Sequence, residues 1–225
     1  KQNGKNKMTL SQVSAKMDLR LNKGASGDYD NIWSYQKQEA FNKAVLEWVR
    51  RQKRGKNITQ EGDEETDSRV DDLQVLLKVE VLSSRDKGIF NQSEKFPSDY
   101  LYYKRITPYV SKNDCQNIIV KSTLREEANV DELITLPSFE FEETFHTIIN
   151  NRVHIYHNKD FTIDKLQLTY YRKPKTYDFK KLSSVVEFKD DVCELIIDGA
   201  CSILASDIES FNQKSVADQR EQMNN

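Results

Sequence analysis

The three histidines, His146, His154 and His157, are the first residues whose chemistry could amount to a site. His154 and His157 lie three apart in RVHIYHN, which reads as a strand. Side chains alternate along a strand, so the two point to opposite faces and make a poor chelate. Half-buried strand histidines are the simpler reading. The acidic run EGDEETD at 61–67 lacks the alternating oxygen ligands, the turn glycine and the closing Glu of a calcium loop, and reads as a solvated loop. In FEFEE, Glu140 and Glu142 share one strand face with no acid–base partner in view. None of the glycines has phosphate-loop spacing, and there is no nucleophile elbow. Cys115, Cys193 and Cys201 fit no metal or redox pattern. Cys193 and Cys201 fall within one apparent helix and cannot bridge there. They read as buried free thiols in a reducing compartment. The expectation is therefore no enzyme, no metal and no cofactor.

The cluster RRQKRGK is the best candidate for contact with phosphates, through Arg50, Arg51, Lys53, Arg54 and Lys56. The same cations would equally suit a subunit salt-bridge surface or a solvated helix end. No groove-reading motif accompanies them, and Trp48 belongs to an apolar stripe. In YLYYKRITPY, alternation puts Tyr100, Tyr102 and Lys104 on one face and Leu101, Tyr103 and Arg105 on the other. A sheet covered on one side explains that run without a ligand.

These residues must be carried by recognisable elements. Residues 8–22 have Leu10, Val13, Met17 and Leu21 at helical spacing, with Thr9 or Ser11 as cap. A second helix follows Asn31, with Trp33, Ala40, Phe41, Ala44, Val45, Trp48 and Val49 inward and Lys37, Lys43, Glu47, Arg50 and Arg51 outward. RVDDLQVLLKVEVL reads either as a third helix, burying Val70, Leu73, Leu76, Leu77 and Val81, or as a helix running into a strand near Lys78–Leu82. YLYYKRITPYV, NIIVKSTLREE, RVHIYHN and DKLQLTYYRK read as strands. Residues 137–150 stay open between an irregular connection and a short helix. A helix over 189–211 presents Val192, Leu195, Ile196, Gly199, Ala200, Ile203 and Leu204 as one stripe, and a frayed polar tail follows. The order predicts an α+β fold: N-terminal helices with a charged loop over 1–85, a mostly antiparallel β-rich domain over 86–186, and a C-terminal helix with a polar tail over 187–225.

With 31% charged residues and a mean hydropathy of −0.76, the private core is thin for 225 residues, and partner subunits are one source of further burial. The net charge of −2 hides an asymmetry. Residues 1–60 hold thirteen Lys and Arg against five Asp and Glu, whereas residues 186–225 hold three against nine. Such a distribution orients a molecule in an assembly or towards DNA. No stretch has the apolar length of a membrane span, and KQNGKNKM does not read as a signal peptide.

Several runs together resemble a virion structural protein of crAss-like tailed bacteriophages. They are DLRLNKGASGDYDNIWSYQKQEAFNKAVLEWVRRQ, EGDEETDSRVDDLQVLL, FPSDYLYYKR, LQLTYYRKPK and EFKDDVCELIIDGACSILASDIES, and they span most of residues 10–212. The resemblance implies a neck, or head–tail connector, protein of the portal vertex, assembled in the host bacterial cytoplasm. It would form a homomeric ring of twelve subunits against the portal protein and adjacent neck or tail rings. Double-stranded DNA would pass through its channel without sequence specificity, and no membrane would be involved. The end of the last helix, with Ile208 and Phe211, would then reach a neighbouring subunit or the portal. The small-residue waist of that helix would pack on the β-domain and the N-terminal helices. Another tail or scaffolding component, or a DNA-binding protein using residues 50–56, is the alternative.

Overall fold

The protein is an α+β molecule whose two ends fold together. In the computed structural model, Lys1–Val75 and Pro174–Asn225 form one compact unit and Leu76–Lys173 another. The residues described are 7–22, 32–54, 71–113, 115–135 and 144–223, with the backbone alone for 54 and 208–223. The strand unit starts at residue 76 and ends at 173, about ten residues before the limits of 86 and 186 expected from texture. LKVEV and SRD already pair as strands, and the chain from 174 to 189 belongs with the helices.

Helix α1 (Leu10–Asn22) starts with a reciprocal cap. The Thr9 amide donates to Gln12 Oε1 at 2.9 Å and the Gln12 amide to Thr9 Oγ1 at 3.4 Å. Its predicted stripe, Leu10, Val13, Met17 and Leu21, is buried. Helix α2 (Ser34–Arg54) buries Ala40, Phe41, Ala44, Val45, Trp48 and Val49 as expected. Two residues reverse their predicted places. Trp33 is 68% exposed because it precedes the first turn, its amide donating to Gln36 Oε1 at 2.9 Å. Lys37 is buried along its stem, and its Nζ lies 2.6 Å from Asp18 Oδ1 on α1.

The long C-terminal helix runs over Asp190–Met223, well past the predicted end at 211. After Gly199 it contains no glycine or proline, and Gln, Lys, Ala, Arg and Glu continue it. Its buried stripe is turned from the predicted one. Val192, Ile196, Ala200 and Leu204 are buried, but Cys193 and Ile197 join them while Leu195 is 60% exposed. The waist packs on the N-terminal helices. A Cβ added to Gly199 would sit 3.6 Å from Ala44 Cβ on α2, which is ordinary contact. Gly199→Ala is therefore expected to stabilise the helical unit by about 0.5–1 kcal/mol, and Gly199→Leu to destabilise it by about 1–3 kcal/mol. Thermal unfolding followed by tryptophan fluorescence checks both. If Leu were tolerated as well as Ala, the waist would not be a close contact.

Between the strand unit and this helix, residues 174–189 lack regular structure yet line the helical core. The Asn42 amide grips the backbone of Tyr177, donating from Nδ2 to its carbonyl at 3.0 Å and accepting from its amide at 2.8 Å. The Phe179 amide donates to Gln38 Oε1 at 3.1 Å. Phe41 meets the Tyr177 and Phe179 rings edge-on at 5.5 and 5.8 Å, and Trp48 meets Phe188 at 5.3 Å.

The strand unit contains two sheets. Strands β1 (Leu77–Leu82), β9 (Thr162–Arg172), β4 (Tyr100–Lys112) and β5 (Cys115–Ile119) form the first, in that order and antiparallel throughout. The second has the order β2 (Ser84–Asp86), β3 (Phe90–Ser93), β8 (Arg152–Tyr156), β7 (Thr144–Ile149) and β6 (Ser122–Leu124), with β6 parallel to β7. One core joins them: Ile106, Val110, Ile163, Leu166, Leu168 and Tyr170 from the first, Val153 and Ile155 from the second. On the far face of the second sheet, the short helix α3 (Val130–Ile134) covers Phe145 and Tyr156 with Val130, Leu133 and Ile134. The C-terminal helix is therefore α4.

Strict alternation fails in the aromatic run. The β4 register against β9 shifts between Tyr100 and Tyr102 and again between Tyr103 and Arg105. These bulges bring Tyr100 and Tyr103 together against the same core, not to opposite faces. Val81, expected inward on a helix, is 56% exposed on β1, where LKVEVL alternates as a strand.

Candidate functional site

The basic end of α2 gives the cations a common platform. Arg50, Arg51 and Lys53 are exposed, and Arg51 lies 3.7 Å from Glu47 one turn earlier. A solvated pair of that kind is worth a few tenths of a kcal/mol. Cations near a helix C-terminus also complement its dipole. Arg54 belongs to the helix, with its side chain outside the description, and Lys56 lies outside the described residues altogether. Ile208 and Phe211 lie on the backbone of α4, and their side chains too are outside the described set.

The surface that sequence patterning missed is at the other end of α2. A groove of about 440 Å³ runs between α2 and α4. Ala40, Ile203 and Leu204 contribute its apolar lining, and Tyr35, Glu39 and Lys43 its α2 side. Tyr35 is 60% exposed, and its ring lies 6.5 Å from that of the exposed Trp33. Two large aromatics beside a groove are the composition of a protein-binding hot spot. In IWSY only Tyr35, off the buried stripe, carried a signal; Trp33 is exposed because the helix starts after it.

The strand unit holds two polar networks. His146 is fully buried, with Nε2 2.9 Å from Tyr103 Oη and Nδ1 2.7 Å from Ser122 Oγ. The Ile106 amide also donates to Tyr103 Oη at 3.1 Å. Burial pushes the His146 pKa down to about 4, so the ring is neutral near pH 7. The trio pins β6 and β7 to β4.

His154 stacks on Phe90, and Gln92 Nε2 lies 3.0 Å from its Nε2. His157 stacks on Phe161, and its Nε2 lies 3.0 Å from Asn91 Oδ1. Burial lowers both pKa values. No cluster of potential metal ligands occurs among the described residues. Tyr170, Asp99, Lys78 and Glu80 form a second network, open to solvent at Lys78. Tyr170 Oη donates to Asp99 Oδ1 at 2.8 Å, and Lys78 Nζ lies 3.1 Å from Asp99 Oδ2. Burial, then the Asp99 carboxylate, pushes Tyr170 up to about 12. Burial opposes ionisation of Asp99, but the bonds from Tyr170 and Lys78 outweigh it and hold the carboxyl below its ordinary range.

The thiols divide. Burial pushes Cys193 up to about 12 and Cys201 up to about 11, which keeps both protonated and unreactive near neutrality. Cys115 departs from the expectation of buried thiols and is exposed on β5, at the sheet edge. No helix in the described residues is long and apolar enough to cross a membrane.

The chain matches no family model, and no curated protein matches it.

Proposed function

We propose that the protein is a structural component of a tailed-phage virion, a homomeric ring of the neck below the portal through which the genome passes. The observation that carries this reading is where the resembling sequence runs meet. In the helical unit, Arg20 of DLRLN clamps Glu194 and Asp198 of DDVCELIIDG, and Ala44 of EAFNKA faces Gly199 of DGACS. In the strand unit, Tyr102 and Tyr103 of DYLYYKR lie opposite Tyr171 and Tyr170 of LQLTYYRK. Asp99 of the same run bonds Tyr170 and accepts from the Lys173 amide at 2.7 Å. The runs that carry the resemblance are thus the contacts that hold each unit together.

A ring subunit needs complementary surfaces for two lateral neighbours and for rings above and below. The exposed Trp33–Tyr35 pair with its groove, and the cations of Arg50, Arg51 and Lys53, are surfaces beyond what the two cores require. Acidic residues turned towards a channel would let DNA slide past without sticking.

Native mass of the purified protein, alone and with the portal protein, tests the proposal, together with imaging of particles. Closed rings of about twelve copies on the portal are expected. Particles with no copy of this chain at the neck would refute it. Salt-sensitive DNA binding by the monomer would move the reading to the basic end of α2.

A further inference from the structure

We propose that strand β1 is a self-pairing edge: two copies of the chain join by antiparallel β1–β1 pairing about a twofold axis at Val79, extending the four-stranded sheet to eight strands. Among the described residues the two sheets have four edges, and three of them are blunted. β2 and β6 are three residues long. β5 is irregular, with Asn117 at φ 59° and a register shift where β4 meets it between Val110 and Lys112. Short edges and bulges are the usual devices against strand addition. β1 has neither. It pairs with β9 without interruption from Leu77 to Leu82, and β9 is its one sheet neighbour. Val79 and Val81, side by side on one face, are 51% and 56% exposed.

The sequence of this edge selects a second copy as its occupant. Pairing about a twofold axis perpendicular to the sheet keeps like faces together, so the axis must pass through a residue, not between two. Centred on Glu80 or on Lys78, the pairing sets like charges directly opposite. Centred on Val79, it sets Val79 against Val79 of the partner subunit and Leu77 against Val81 of the partner subunit on one face. On the other face Lys78 meets Glu80 of the partner subunit, twice by symmetry. Cross-strand pairs of opposite charge and of β-branched residues favour pairing, and like charges oppose it. Lys78 and Glu80 already lie 3.6 Å apart within one copy, so the contact would close a four-membered ring of alternating charge. This contact is isologous, whereas neighbours around a ring meet heterologously, so it does not rest on the ring reading.

The test is sedimentation of the full chain over a wide concentration range, for the native protein and for Val79→Lys and Val79→Glu. Val79 is half exposed, so both variants should fold, and unchanged circular dichroism spectra check that they do. The native chain is expected to dimerise. Each variant alone should raise the dissociation constant about tenfold or more, because identical charges meet on the axis. An equimolar mixture of the two should recover association as a heterodimer. A native chain that stays monomeric overturns the proposal. So does an assembly, a ring included, whose mass Val79→Lys leaves unchanged, and so does a mixture that associates no better than its components.

Discussion

Lowering the pH from 6.5 to about 4 is expected to remove roughly 3 kcal/mol of stability from the strand unit through His146 alone. The ring is fully buried, and its two nitrogens are already engaged by Tyr103 and Ser122. Charging it would make both nitrogens donors, so that Tyr103 and Ser122 would both have to accept, and would place a cation in the core. The unfolded chain has no such constraint and takes up a proton near 6.5. Between the two pKa values the unfolded state binds the extra proton, so stability falls as pH falls. It is fully present above 6.5 and fully lost below about 4. His154 and His157 are shifted in the same direction and add to the slope. Asp99 has a lowered pKa, so its contribution is lost below the ordinary carboxylate range, beneath that window. Two measurements check this. Urea unfolding across the pH series should show the slope in the native protein and a shallower one in His146→Gln. The imidazole resonances of His146 should stay those of a neutral ring down to about pH 4. A His146 that titrates near 6.5 would sink the argument.

What the sequence made legible follows from which interactions are local. The stripes of α1 and α2 were readable because burial repeats at the helical period, and four of four expected α1 positions are buried. Long β-branched and aromatic runs announced β4, β8 and β9. By contrast, β2 and β3 are SRD and FNQS, polar segments that become strands because β8 offers β3 a ladder and β3 in turn offers one to β2. β7 lay inside a segment left open between loop and helix, and it is the partnership with β8 and β6 that makes TFHTII a strand. The bulges in β4 and the turn of the α4 stripe towards Cys193 and Ile197 are likewise set by partners distant in sequence. The candidate surfaces divide the same way. A run of cations is visible in one dimension, whereas an exposed Trp33 is visible only once the helix start is fixed.

Phe41→Ala is expected to destabilise the helical unit by about 3–5 kcal/mol, the largest single effect among the side chains discussed. Phe41 was legible as a core residue of α2, but its main partners were not. Tyr177 and Phe179 lie in a segment without regular structure, and a period-based reading gives that segment no role. They are nonetheless buried to 4% and 3% exposure, and both meet Phe41 edge-on. The backbone around them is held by side chains of the same helix, Asn42 at Tyr177 and Gln38 at Phe179. Removing the Phe41 ring therefore leaves a cavity that the irregular segment cannot collapse into without breaking those bonds. This predicts coupling, not additivity. The cost of Phe41→Ala together with Tyr177→Ala should fall short of the sum of the two by about 0.5–1.5 kcal/mol, the scale of an aromatic pair. Both tryptophans of the chain, Trp33 and Trp48, belong to the helical unit, so their fluorescence reports its unfolding without contribution from the strands. An additive double variant would mean that residues 174–189 merely lie over the helices. A coupled one would show that α2 and this segment form one core.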